Sequence, residues 1–138
     1  MNERTTHTDP FEQTAMVSPG TRHKELGDCY EVAARIMLHS AGVEQIEEVE
    51  HTLCHGTVSG QGPVEGVRFG HAWVEWHHVP SSIRLVLDYS NGNKVVMTVA
   101  QYYALGSIDP AEVYRYTSDE ALHMLLEFRH YGSWHDSK

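Results

Sequence analysis

The chain has 138 residues, 41% of them hydrophobic, which suits one globular core and includes no apolar run long enough to cross a bilayer. Its 19 acidic and 10 basic residues give a formal charge of −9, so nucleic acid and anionic membranes find no electrostatic footprint on it. Two cysteines make no disulfide framework, and "MNERTTHTDPFEQTAMVSPG" lacks an apolar signal segment, so a soluble cytoplasmic protein with free thiols is expected.

Residues 1–25 are polar, with Pro10 and the turn pair Pro19-Gly20, and read as a flexible arm; residues 26–138 read as one domain. In "GDCYEVAARIMLHSAG" a helix begins at Asp28, which can cap it with Glu31 in the reciprocal position of a capping box. Val32, Ala33, Ile36 and Met37 supply its apolar face, and Gly42 is the natural stop. Cys29 falls in the first turn, beside unsatisfied N–H groups and the positive end of the helix dipole, where a thiolate is favoured.

"EEVEHTLCHGTVSG" alternates like a strand, which sends Cys54 and His55 to opposite faces, Cys54 toward the core. "GQGPVEG" is a glycine-rich loop without the lysine or serine of a phosphate-binding loop. "RFGHAWVEWHHVPSSIRLVLDYSNG" reads as a hairpin, and Asn91-Gly92 turns into a further strand, "KVVMTV". Thr98 with Gln101 caps a short helix that Gly106 ends; "EVYRY" is a strand; Thr117 with Glu120 caps a last helix that stops near Gly132. Tyr102, Tyr103, Leu122, Leu125, Leu126 and Phe128 are assigned to the core, and Trp134 is placed to fold back onto the body.

A loop at 78–81 pairs Trp76 with Ile83, Val74 with Leu85 and Ala72 with Leu87 on one apolar face. The opposite face then pairs Glu75 with Arg84, Trp73 with Val86, and His71 with Asp88. Directly opposed Cβ atoms lie about 4.5–5.5 Å apart, close enough for a carboxylate to orient an imidazole. If Cys29 joins them, the three groups suit acyl transfer from an amide or thioester. Sulfur attacks, His71 takes and returns the proton, Asp88 sets the ring's tautomer, and backbone N–H groups receive the oxyanion. His55, Gln61 and Trp73 are the candidates for substrate or oxyanion contact. The chemistry calls for no cofactor, and the expected partner is a protein or peptide substrate, with no nucleic acid and no membrane.

Two rivals stand beside this. Zinc needs three or four converging ligands, and His51, His55, His71, His77 and His78 lie on candidate strands, but no His-Glu-x-x-His or Cys-x-x-Cys accompanies them, so no metal is expected. The other rival is a catalytically inactive accessory protein that binds a host protein.

The chain resembles the transglutaminase-like superfamily of papain-fold cysteine enzymes in "GDCYEVAARIMLHSAGV", "GHAWVEW" and "LVLDYSNG", over roughly residues 25–95. The resemblance implies an α+β fold with a papain-like core: a cysteine-bearing helix on an antiparallel sheet, here with short C-terminal helices covering an edge. It implies Cys29 as nucleophile, His71 as general base and acid, and Asp88 as the orienting partner, in a cysteine hydrolase, peptidase or acyl transferase. "GHAWVE", "DYSNG" and the terminal "HYGSW" also resemble small uncharacterised phage-encoded proteins, which implies a role in the host cytoplasm during infection.

Overall fold

The computed structural model describes residues 28–40, 48–60, 65–92 and 94–135; the expected arm at 1–25, the stop at Gly42 and the loop residue Gln61 lie outside the described residues. In chain order the elements are α1 (Cys29–Ser40), β1 (Val49–Ser59), β2 (Arg68–His78), β3 (Ile83–Asp88), β4 (Val95–Thr98), α2 (Val99–Gly106), β5 (Tyr114–Tyr116) and α3 (Ser118–Phe128). Single 3-10 turns at Ser90–Gly92 and Pro110–Glu112 precede β4 and β5. The class is α+β. The five strands form one antiparallel sheet ordered β4-β3-β2-β1-β5, a meander whose last strand returns to the far edge beside β1. Among the described residues no helix is long and apolar enough to cross a membrane.

Local chemistry accounts for the helix ends. Thr98 with Gln101 and Thr117 with Glu120 both close reciprocal capping boxes, each threonine accepting from the backbone N–H three residues on. α2 ends at Gly106 as expected, with Ser107 next in the left-handed conformation at φ 51°, whereas α3 stops at Phe128, short of Gly132, with Arg129 left-handed at φ 62°. The Arg68 guanidinium donates to the Ser107 carbonyl at 2.9 Å and so ties the end of α2 to the start of β2.

Helices cover both faces of the sheet rather than an edge, which corrects the expected arrangement. On one face Tyr102 and Tyr103 of α2 meet Cys54, Val58, Trp73 and Val86; on the other, α1 and α3 bring Cys29, Ala33, Met37 and Ala121 against Leu53, Ala72 and Val74. Consecutive residues Cys54 and His55 are therefore both fully buried although they point to opposite faces. α3 turns Ala121 inward and leaves Leu122 and Leu126 exposed at 43% and 67%, so these two leucines are surface, not core. Gly56 sits under the Trp73 ring: a Cβ there would stand 2.9 Å from Cη2 of a side chain with no room to retreat. Gly56→Ala is expected to destabilise the fold by roughly 1–3 kcal/mol, read from the urea midpoint; an unchanged midpoint would contradict this packing.

The hairpin differs from its expected register by two residues. Val74 faces Leu87, Glu75 faces Val86, Trp76 faces Leu85 and His77 faces Arg84. The loop is 79–82: the Ser82 N–H donates to the His78 carbonyl at 2.8 Å, and Ser82 itself is left-handed at φ 64°. That turn chemistry, with the Ser81 hydroxyl bonded to His78 Nδ1 at 2.6 Å, sets the pairing one step along each strand. An even shift preserves the face of every side chain. Glu75 and Arg84 are nevertheless not partners; the Glu75 carboxylate accepts from Trp73 Nε1 at 3.0 Å and from the Tyr103 hydroxyl at 2.5 Å.

Candidate functional site

Cys29 is the first residue of α1, and the helix opens with the Val32 N–H donating to the Asp28 carbonyl at 3.0 Å. The thiol thus lies where backbone N–H groups have no partner within the helix and the dipole is positive. The Glu31 carboxylate pairs with Arg35 one turn on, at 2.8 Å. Gly70 lets α1 come down onto β2, because a Cβ at that position would stand 2.8 Å from the Tyr30 hydroxyl.

His71 and Asp88 meet, with Nε2 2.9 Å from Oδ2. Continued past its last pair, the observed register sets Asp88 beside Trp73, so the histidine reaches the carboxylate on the diagonal. Four donors surround Asp88: His71 Nε2, the Tyr102 hydroxyl at 2.7 Å on the same oxygen, and on Oδ1 the Ser90 hydroxyl at 2.6 Å and the Ser90 N–H at 3.1 Å. Burial pushes the Asp88 carboxyl up, but the His71 charge and the bonds from His71, Ser90 and Tyr102 outweigh it and hold the group below its ordinary value. Burial likewise pushes the His71 imidazolium down. It is overcome by the charge of Cys29, then that of Asp88, and by the hydrogen bond to the carboxylate, which raise His71 to about 10. With Nε2 taken by the carboxylate, Nδ1 is the ring nitrogen that faces away from Asp88.

The other expected site residues do not gather here. Trp73 is fully buried, its ring inclined 24° to that of His71 at 6.2 Å between centroids, so it backs the histidine from the core and offers no groove wall to a substrate. His55 lies on the opposite face of the sheet, enclosed by Tyr30, Tyr116 and Trp134 with ring centroids at 4.8, 5.2 and 4.9 Å. Burial, with a smaller contribution from His135, lowers it to about 3, so it is a neutral core histidine and not an exposed oxyanion donor. Gln61 lies outside the described residues. Cys54 is core, and burial raises its thiol well above the ordinary value. Among the described residues no three His, Cys, Asp or Glu side chains converge as metal ligands.

Ser90 and Tyr102 are the members of the site that the sequence reading passed over. Ser90 had a local signal, since a serine two residues after an aspartate can donate back to its carboxylate in an Asx turn. Tyr102 had none: it lies 14 residues beyond Asp88, on a helix whose docking onto this face no local pattern specifies. The site is closed, with Cys29 2% exposed, Asp88 3% and His71 not at all. No protein-family model matches the chain, and neither a curated protein nor a solved structure matches it.

Proposed function

We propose that this chain is a cysteine-dependent amide-bond hydrolase or acyl transferase, built on a transglutaminase-like core and working through a thioester. One observation carries the reading: a buried histidine is bonded at Nε2 to a buried carboxylate while it interacts with a thiol at a helix start. The chain order Cys29, His71, Asp88 supports the family assignment. In the first half-reaction the Cys29 thiolate adds to the substrate carbonyl, and N–H groups at the start of α1 receive the oxyanion. The tetrahedral adduct collapses, the C–N bond breaks, and His71 gives its Nδ1 proton to the departing amine. Water or a second amine then donates a proton to His71 and attacks the thioester, which releases the acid or the new amide and restores the thiolate. Asp88 stays ionised throughout and stabilises the imidazolium. A protein or peptide substrate fits this chemistry, and the closed cover over the sulfur has to open for it.

That burial favours a second reading, in which the domain keeps the arrangement without turnover and binds a host protein. Labelling with iodoacetamide at pH 7, read by peptide mass spectrometry, separates the two. An ordinary thiol is only a few per cent ionised at that pH, so a paired Cys29 is expected to label roughly tenfold faster in the wild type than in His71→Ala. Cys54 is the internal control and stays unlabelled. Equal rates in the two proteins, or no labelling of the folded wild type, would move the assignment to the binding reading.

A further inference from the structure

Tyr102 is completely buried, its ring packed against Trp73 at 5.4 Å between centroids. A phenylalanine would bury as much carbon there without desolvating a hydroxyl. The hydroxyl is spent on Asp88 Oδ2, the oxygen that also accepts from His71. Ser90 supplies two donors to Oδ1. An ionised carboxylate has about four acceptor sites, so Asp88 is saturated and neither oxygen can rotate away without leaving a buried donor behind.

We propose that Tyr102 is a positioning residue for the reaction set out above: from α2, with Ser90 opposite, it clamps the Asp88 carboxylate so that His71 is held in one tautomer, Nε2–H on the carboxylate and Nδ1 toward Cys29. The inference rests on the reactive-thiol reading only for its consequence; the clamp itself stands on the hydrogen bonds. It also assigns α2 a part in the chemistry, although α2 and α1 cover opposite faces of the sheet. The groups that face the carboxylate are His71 from β2, Ser90 from the turn after β3 and Tyr102 from α2. Its own burial, then the charge of Asp88 and the bond to it, hold the phenol protonated. Sharing Oδ2 between two donors tempers its basicity, so Asp88 acts as a fixed charge and leaves the proton on the ring.

Tyr102→Phe keeps the ring and removes the clamp, and two readouts test it. In proton NMR the His71 Nε2–H resonance is expected to exchange with water at least roughly tenfold faster in the variant, since one charge-assisted bond to its acceptor is gone. In the carbon NMR titration of the Asp88 carboxyl the acid limb is expected to move up, since one of the bonds that hold the group below its ordinary value is gone. A merely structural hydroxyl would shift the melting temperature and neither of these. Unchanged exchange and an unchanged acid limb in a folded Tyr102→Phe would overturn the proposal. If that variant does not fold, Ser90→Ala removes donors from the other oxygen and is judged by the same two outcomes. Failure of the reactive-thiol reading looks different: wild-type Cys29 would ignore His71, while the NMR comparison would still decide the clamp.

Discussion

Asp88→Ala is expected to cost the fold roughly 3–5 kcal/mol at neutral pH, the usual penalty for removing one partner of a buried ion pair. Four donors would face a methyl group, and the fully buried His71, charged in the native pair, would lose its nearest carboxylate. The pH dependence gives the substitution a signature. His71 is raised from 6.5 to about 10, so its contribution is fully present below 6.5 and is lost as pH climbs through 10. Asp88 is lowered, so its contribution is present above 3.8 and is lost as pH falls through the depressed value. The stability contributed by this pair is therefore held between those limits. In Asp88→Ala only the influence of Cys29 still raises the imidazole, and the alkaline loss shrinks. Urea denaturation from pH 6 to 10.5 measures both effects. A variant within about 1 kcal/mol of wild type across that range, the scatter of ordinary surface substitutions, would show that the carboxylate does not carry this buried charge.

The acid side should report on His55 instead. Neither of its ring nitrogens has a hydrogen-bond partner among the described residues, and three aromatic rings close around it. Its folded value of about 3 lies below the 6.5 of an unfolded chain. The sign is thus opposite to that of His71. Below pH 6.5 the unfolded chain takes up a proton that the folded protein refuses, and stability falls with pH until about 3. The slope is up to about 1.4 kcal/mol per pH unit, so the loss from this one group is roughly 2 kcal/mol at pH 5. His55→Leu places an apolar side chain among Tyr30, Tyr116 and Trp134 and is expected to flatten that limb. Denaturation of both proteins at pH 7 and pH 5 isolates the residue from the other histidines. Acid limbs that run parallel would mean that His55 protonates freely in the folded state, against its enclosure here.

Elements whose cause lies within a few residues were the ones legible in advance. Both capping boxes need only a threonine and an amide or carboxylate three positions on, and both formed. The opening of α1 at Asp28 and the alternation along β1 were equally local. The hairpin shows where this ends. Its parity was readable from the apolar pattern, but its register depended on Ser82 accepting a left-handed backbone, which two alternatives of equal parity do not distinguish in a string of letters. Glu75 failed for a related reason. A charge opposite Arg84 looked sufficient, while the indole of Trp73 and the phenol of Tyr103 outcompeted it once α2 covered that face.

The sequence by itself determined that a cysteine would open a helix and that a histidine and an aspartate would share one face of a hairpin, because helix capping and strand alternation are settled between near neighbours. Only the tertiary structure decided that Tyr102 and Ser90 saturate the carboxylate, that Trp73 and His55 are enclosed rather than offered to a ligand, and that the sulfur lies under cover. Each of these depends on which element lands on which face of the sheet. That is set by burying apolar area across the whole domain, a non-directional force that leaves no motif in the chain.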